Sequence, residues 1–209
     1  MRLFFALAAL AIATAPAQAG GPAKAVVELF TSQGCSSCPP ADVALAHALD
    51  AGGIVALSWH VDYWDYLGWR DTFSSAAATA RQERYAARIG GGTYTPEFVV
   101  NGLHGSSNSG IISGTGLPVA VTVSGGTAHV AAGAGAGTVY LVSFTPSATV
   151  PIAKGENAGR SVTYRNVVTG IRNLGEWTGE ALTLPAATGP CAVIVQRPGQ
   201  GEIIGAAQC

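Results

Sequence analysis

The sequence predicts an α/β unit followed by an antiparallel β-rich segment, which makes the protein α+β overall. In the first half, two apolar runs rich in Val, Ile and Leu flank a run of good helix formers. This strand–helix–strand order is the βαβ pattern, which brings the carboxyl ends of two parallel strands to one edge of a sheet. In the second half, short runs alternate apolar and polar residues between turn signals, as antiparallel strands do.

Residues 1–19 have the features of a secretory signal peptide. Arg2 precedes an apolar stretch over residues 3–13, and small residues mark the cleavage site that follows. We expect the mature chain to begin at Gly20 and to be periplasmic or secreted, where disulfides persist. No later apolar run is long enough to span a bilayer, so we expect no membrane insertion after cleavage.

Composition narrows the choice of partners. The net charge is −1 and only 11% of residues are charged. Nucleic acids and anionic membranes are bound by basic patches, so we expect no nucleic-acid partner. A Gly/Ser-rich stretch over residues 105–116 predicts a boundary between a first domain, residues 20–114, and a β-rich domain, residues 115–209.

The first strand leads directly into a Cys-x-x-Cys sequence. The apolar run 26–31 turns through Gly34 and is followed by Cys35 and Cys38, and the run 41–49 is predicted to be helical. A thiol at a helix N-terminus lies among unpaired N–H groups at the positive end of the helix dipole, which favours the reactive thiolate. We predict that Cys35 is the more exposed nucleophile and that Cys38 resolves the mixed disulfide.

Two other interpretations of this cysteine pair stay open. A structural zinc site needs four ligands, and the remaining cysteines, Cys191 and Cys209, lack the matching spacing. A purely structural disulfide between Cys35 and Cys38 suits an oxidising compartment.

An aromatic loop over residues 60–70 follows the second predicted strand, residues 54–59. Its position after a parallel strand places it beside Cys35, so His60, Tyr63 and Trp64 are candidates to bind a substrate chain. Ordinary core packing is an alternative. A copper or zinc site formed by His60 with the two cysteines is another, because thiolate and imidazole suit these metals.

A second helix is predicted to begin after a cap at Asp71 or Thr72 and to end near Ile89, before three glycines. Its arginines at positions 81, 84 and 88 share one face, which is either solvated or a positive wall that stabilises a thiolate.

The second half begins with a predicted hairpin. Gly125 and Gly126 suit a two-residue turn, which sets Val121 opposite Val130 and leaves His129 on the polar face. Further strands are predicted over residues 139–144, 162–168, 181–184, 192–196 and 202–205, as a small sandwich or barrel-like sheet. A structural disulfide between Cys191 and Cys209 is the favoured interpretation, and a second redox pair is the alternative.

The chain resembles the thioredoxin superfamily through Cys35-x-x-Cys38 after a strand and Thr95-Pro96 before a later one. It resembles more closely a family of secreted bacterial thioredoxin-like proteins of unknown function. That resemblance rests on the runs ELFTSQGCSSCPPAD (28–42), HVDYWDYLGW (60–69), RQERYAA (81–87), YTPEFVVNG (94–102) and YRNVVTGIRNLGEW (164–177).

The superfamily resemblance implies a thioredoxin-like first domain and roles for three more residues. Pro96 becomes the cis-proline, and the backbone of Thr95 pairs with an extended substrate. Many thioredoxin-like proteins carry a carboxylate in the first strand, six residues before the first cysteine, as a proton acceptor. Glu28 lies seven residues before Cys35. Desolvation raises the pKa of a buried carboxyl, so we predict that Glu28 exchanges protons with Cys38.

Three functions follow as hypotheses. The first is an extracytoplasmic thiol–disulfide oxidoreductase that needs no cofactor and acts on protein or small thiols or disulfides with a redox partner. The second is a copper or zinc delivery module that uses Cys35, Cys38 and His60. The third is a non-enzymatic interaction protein on a thioredoxin scaffold.

Overall fold

The computed structural model describes residues 21–209, so the signal peptide predicted over residues 1–19 lies outside the described residues. Strand β1 (Ala25–Thr31) and strand β2 (Ile54–His60) are parallel neighbours, and helix α1 (Pro39–Ala51) connects them. All seven residues of β1 are buried, as expected for a strand covered on both faces. The predicted βαβ unit is therefore confirmed.

The remaining elements alternate less regularly. They are, in order, α2 (Ala76–Ile89), β3 (Glu97–Val100), β4 (His104–Ser106), a 3₁₀ turn (Ser109–Ile111), β5 (Val121–Ser124), β6 (Thr127–Val130), β7 (Gly137–Pro151), β8 (Ser161–Trp177), β9 (Leu182–Pro185), β10 (Cys191–Gln196) and β11 (Ile203–Gln208). Strands β7 and β8 are much longer than predicted, because their pairing continues beyond the apolar runs into a polar hairpin arm. Among residues 21–209, no helix has the length and apolar character needed to cross a membrane.

Eight strands form one mixed sheet in the order β11-β10-β7-β8-β2-β1-β3-β4, and β5-β6-β9 form a second sheet of three strands. Within the large sheet β2 is parallel to both β1 and β8, and the other pairs are antiparallel. The predicted α+β class is confirmed, and the topology is consistent with a thioredoxin-like part followed by a β-rich part. The large sheet takes strands from both sides of residues 114 and 115, and the domain boundary placed there stays a prediction.

The two helices pack on opposite faces of the large sheet. Val27 and Leu29 of β1 contact Leu45 of α1 in one cluster, whereas Phe30 packs with Tyr85 of α2 in another. Side chains alternate along a strand, so odd-numbered residues of β1 face α1 and even-numbered residues face α2. This alternation determines which polar side chains of β1 lie near the Cys-x-x-Cys helix.

Helix α2 begins later than predicted. Ser75 caps it by accepting a hydrogen bond from the amide of Ala78, so the predicted cap at Asp71 or Thr72 is wrong. Residues 71–74 instead form a turn before the helix, and Asp71 accepts a hydrogen bond from the amide of Gln33. The predicted end at Ile89 is confirmed, and Gly90 follows with φ of 83°, a conformation that favours glycine.

The small sheet packs against one end of the large sheet. Val121 and Val130 pair across the predicted hairpin and share a core with Val193 and Ile204. His129 is exposed, as predicted. A disulfide joins Cys191 and Cys209, as predicted, and ties the last residue to the start of β10. That this disulfide is structural stays a prediction.

Replacing Cys191→Ser and Cys209→Ser together should lower the free energy of unfolding by about 3 kcal/mol, because the disulfide closes a loop of 18 residues in the unfolded chain. Urea denaturation of the oxidised protein measures this loss. The Cys35–Cys38 disulfide should still form, because the two disulfides share no residue. Unchanged stability would instead favour the alternative that the C-terminal cysteines are a second redox pair.

Candidate functional site

Cys35 and Cys38 form a disulfide at the start of α1. Cys38 is the N-cap residue, and its carbonyl oxygen accepts hydrogen bonds from the amides of Ala41 and Asp42. Pro39 occupies the first helical position, where its missing N–H costs nothing. The sequence therefore placed the cysteine pair correctly at a helix N-terminus.

Both cysteines are 0% exposed in this disulfide form, so the prediction that Cys35 is the more exposed residue is wrong here. Two loops cover it. Trp64 packs against Gly34, and the side-chain amide of Asn157 donates hydrogen bonds to the carbonyl oxygens of Cys35 at 2.8 Å and Gln33 at 3.0 Å. The first loop was expected beside the cysteines, and the second comes from the β7–β8 hairpin, which no sequence pattern connected with the site.

Asp71 holds the loop that leads to the cysteines. Its Oδ2 accepts a hydrogen bond from the amide of Gln33 at 2.8 Å and lies 2.7 Å from Nδ1 of His60. Its Oδ1 accepts from the amide of Phe73 at 2.8 Å. Asp71 is 2% exposed, so these contacts give a buried carboxylate its partners. This role replaces the predicted helix cap.

The structure corrects the predicted role of His60. It was predicted to contact a substrate chain, but it is 1% exposed and its ring lies edge-on against Tyr164, with centroids 4.7 Å apart. The ring nitrogen Nε2 has no hydrogen-bond partner. His60 therefore belongs to the interior of the site, beneath the surface that a substrate would reach.

Asp42 is a buried acid that sequence reasoning missed. It is 4% exposed, and its Oδ2 accepts a hydrogen bond from the hydroxyl of Thr31 at 3.3 Å. Burial raises the pKa of this carboxyl well above its usual value, and the charge of Asp71 raises it further. Asp42 lies four residues after Cys38, one helical turn away on the same face. That spacing was the signal available in the sequence.

Glu28 lies on the other face of the sheet. Its carboxylate accepts hydrogen bonds from Arg81, at 2.5 Å from Nε to Oε1 and 3.0 Å from Nη2 to Oε2, and from the hydroxyl of Tyr85. Because even-numbered residues of β1 face α2, this carboxylate points away from α1. The geometry contradicts the predicted proton exchange between Glu28 and Cys38. Glu28 instead neutralises the buried guanidinium of Arg81.

The arginines of α2 do not form a wall beside the thiols. Arg81 is buried and paired with Glu28. Arg84 and Arg88 are exposed and line a groove of about 590 Å³ with Tyr140 and Ile171. This groove lies on the α2 face, so the interpretation of these arginines as thiolate-stabilising groups is not supported.

The Thr95–Pro96 peptide bond is cis, as predicted. The hydroxyl of Thr95 accepts a hydrogen bond from Nε1 of Trp64 at 2.8 Å, which links the aromatic loop to the proline loop. Tyr63, the remaining candidate from the aromatic loop, is half-buried and donates to Gln82 on α2 at 3.1 Å.

An open groove begins beside the disulfide. It has a volume of about 370 Å³, and Ser37, Pro40, Pro96, Phe98 and Asn108 are among its lining residues. Ser37 lies between the two cysteines in sequence, so the groove connects the disulfide region with the cis-proline. Of the five predicted substrate-binding residues, Pro96 alone lines this groove in the described part of the chain.

The donor set does not form a preassembled metal site. Within residues 21–209, no group of three or more His, Cys, Asp or Glu residues is arranged to hold a metal ion. The sulfur atoms of Cys35 and Cys38 are bonded to each other, and Nδ1 of His60 faces Asp71.

The fold and the site thus define a mixed α+β protein with a disulfide-bonded Cys-x-x-Cys at the start of a helix. The chain belongs to the family described as protein of unknown function DUF1223, whose model matches residues 26–196. This confirms that the family is one of unknown function, and its secreted, thioredoxin-like character stays a prediction. A search of curated proteins found no significant match.

Two solved structures are similar to this chain. The crystal structure of a protein from Agrobacterium tumefaciens has 35% sequence identity and a TM-score of 0.75, over 89% of this chain and 93% of that one. HBP35 of Porphyromonas gingivalis has 13% identity and a TM-score of 0.58, over 90% of this chain and 75% of that one. The second similarity shows the fold alone.

Replacing Glu28→Gln should destabilise the protein by about 3–5 kcal/mol, because it leaves the charge of Arg81 buried without a counter-ion. Chemical denaturation measures this loss, and Glu83→Gln on the exposed face of α2 is the matched control. The pH dependence of thiol–disulfide exchange should be unchanged, because Glu28 faces away from α1. A changed pH profile would restore Glu28 as the proton acceptor.

Proposed function

We propose that the protein is a thiol–disulfide oxidoreductase of the thioredoxin superfamily. The observation that carries this proposal is the Cys35–Cys38 disulfide at the N-terminus of α1, beside a groove that also contains the cis-proline Pro96. A disulfide between residues three apart closes a very short loop, so it contributes little to the stability of the whole fold. Reversible exchange explains its position better than structural reinforcement does.

The reaction transfers two electrons by thiol–disulfide exchange. In the reducing direction, the thiolate of Cys35 attacks one sulfur of a substrate disulfide and the other sulfur leaves as a thiolate. Cys38 then loses its proton and attacks Cys35 Sγ, which releases the second substrate thiolate and restores the internal disulfide. The protein is oxidised by two electrons and the substrate is reduced by two. The oxidising direction reverses these steps.

Asp42 is the proposed proton acceptor for Cys38. It is the buried carboxyl on the face of the sheet that α1 covers, and it lies one helical turn from Cys38. Because burial raises its pKa, its carboxyl group binds a proton more readily than an exposed one. Thr31 donates a hydrogen bond to this carboxylate and fixes its position.

The groove beside the disulfide fits an extended polypeptide. Its lining side chains are uncharged, and it passes from Ser37 across Pro96 to Asn108. We therefore propose protein thiols or disulfides as substrates, bound next to Thr95 and Pro96, with a separate redox partner that returns the pair to its starting state. The backbone of Thr95 remains the proposed contact with the substrate chain.

The proposed location is periplasmic or secreted. Two disulfides are formed in the described residues, which is typical of an oxidising compartment outside the cytoplasm. The predicted signal peptide supports the same location.

The Cys35→Ser protein should lose dithiol exchange completely, because the attacking thiol is missing and Cys38 alone cannot form the internal disulfide. The Cys38→Ser protein should instead accumulate a mixed disulfide with a model substrate, because the resolving thiol is missing. Insulin reduction and mass spectrometry of trapped adducts measure these outcomes. A Cys35–Cys38 disulfide that stays oxidised in the most reducing glutathione or dithiothreitol buffers would refute the proposal.

Replacing Asp42→Asn should slow the resolving attack by Cys38 about 100-fold at neutral pH, because the proton acceptor is lost. Resolution in the wild type should accelerate as pH rises through the raised pKa of Asp42, and the variant should lack this step. Stopped-flow kinetics of mixed-disulfide resolution measures both effects, and Asp50→Asn at the exposed end of α1 is the matched control.

The free energy of unfolding of Asp42→Asn distinguishes proton transfer by Asp42 from a role in packing alone. A carboxyl whose pKa is raised by folding destabilises the protein as pH rises through that pKa. Asp42→Asn should therefore be at least as stable as the wild type at neutral pH, although it resolves mixed disulfides slowly. Loss of stability without a change in the pH profile would make Asp42 a structural residue only.

A further inference from the structure

The tip of the β7–β8 hairpin, residues 152–160, lies against the Cys-x-x-Cys loop although it is more than 100 positions away in sequence. Asn157 is 1% exposed and binds the carbonyl oxygens of Gln33 and Cys35. Gly155 packs against Trp69 of the aromatic loop. The tip is therefore a fixed part of the site.

This tip places a carboxylate against the backbone of the Cys-x-x-Cys loop. Oε2 of Glu156 accepts a hydrogen bond from the backbone amide of Ser36 at 3.2 Å. Ser36 directly follows Cys35, so covalent geometry keeps its amide nitrogen within about 5 Å of Cys35 Sγ. The carboxylate oxygen is thus within about 8 Å of the sulfur that becomes the nucleophile when the disulfide is reduced.

Two effects of Glu156 act on the reduced state in the same direction. Its negative charge repels a thiolate on Cys35, and it accepts the hydrogen bond of the Ser36 amide, which is then not free to donate to that thiolate. Hydrogen bonds from Ser36, chiefly from its side chain and then from its backbone amide, lower the pKa of Glu156 and favour its ionised form. Within the described residues, Lys154 and Arg160 of the same tip form no ion pair with Glu156. The charge of Glu156 is therefore not neutralised locally.

We propose that the β7–β8 tip tunes the redox pair: Glu156 destabilises the Cys35 thiolate and makes the Cys35–Cys38 couple more reducing than the helix N-terminus alone would make it. This inference rests on the proposed function. Reduction of the disulfide takes up two electrons and one proton, and leaves Cys35 as a thiolate and Cys38 as a thiol. A group that destabilises the thiolate therefore favours the disulfide, and the reduced protein becomes a better electron donor.

The proposed effect of Glu156 on the potential predicts the direction of electron transfer. A couple shifted towards reducing potentials passes electrons to substrate disulfides and needs a donor that re-reduces it. It also gives the second half of the chain a part in the chemistry, because the charged group comes from that half.

The decisive comparison is between Glu156→Gln and the wild type. Glutamine keeps the acceptor oxygen for the Ser36 amide and removes only the charge. The matched control is Glu180→Gln, which removes the same charge from an exposed position in the segment between β8 and β9. Glu156→Lys provides the opposite sign. All four proteins are equilibrated with glutathione buffers and their reduced fractions determined by thiol alkylation.

Glu156→Gln should shift the equilibrium constant with glutathione by about three- to tenfold towards the reduced form. This corresponds to a rise in reduction potential of about 15 to 30 mV. Glu156→Lys should shift it further, and Glu180→Gln should match the wild type. The pKa of Cys35, followed by thiolate absorbance, should fall in the same order. High salt should shrink the difference between wild type and Glu156→Gln, because screening weakens an exposed charge.

The titratable groups beneath the disulfide are the same in all four proteins, so they cancel in the comparison. They are Asp42 of α1, His60 of β2, Asp71 directly after the aromatic loop, and Tyr164 of β8.

The outcomes separate the tuning from the proposed function. If the wild-type disulfide resists reduction, the oxidoreductase proposal fails. If the wild type is reduced normally and Glu156→Gln behaves like Glu180→Gln, the tuning is refuted while the oxidoreductase proposal stands. A shift in potential that persists unchanged at high salt would also overturn it, because a change in loop geometry, not charge, would then be responsible.

Discussion

The backbone of residues 33–35 is held by side chains from two distant segments, and the geometry of the site depends on this restraint. Asp71 accepts a hydrogen bond from the amide of Gln33, and Asn157 donates hydrogen bonds to the carbonyl oxygens of Gln33 and Cys35. A buried loop without regular secondary structure must find partners for its backbone groups, and unpaired groups are costly. These hydrogen bonds let the chain leave β1, turn and begin α1 while the disulfide is fully buried.

The two faces of β1 lie against acidic groups with different roles. On the α2 face, Glu28 and Arg81 form a buried ion pair with several hydrogen bonds, an arrangement that is costly to break. On the α1 face, Thr31 contacts Asp42, whose pKa is raised. A shift of one residue in the register of β1 would exchange these roles, because neighbouring residues point to opposite faces.

The long hairpin β7–β8 joins the two halves of the protein. Its strands extend the sheet of the βαβ unit, with β8 beside β2, and its tip reaches the cysteines. The second half is therefore more than a neighbouring module. If Glu156 sets the potential of the pair, a change in the hairpin alters the direction of electron transfer while the cysteines, the cis-proline and the groove stay unchanged.

Local patterns in the sequence determined much of this protein. Apolar runs, turn glycines and the prolines after Cys38 predicted the βαβ unit, the Cys-x-x-Cys at a helix start and the register of the β5–β6 hairpin, because each depends on residues close together in the chain. The cis bond before Pro96 was predicted from the superfamily resemblance. Tertiary structure alone decided which polar groups meet. Glu28 pairs with Arg81, His60 lies against Asp71, and Glu156 accepts a hydrogen bond from Ser36. These partners are between 11 and 120 positions apart, and only the packing of whole strands and helices sets such distances.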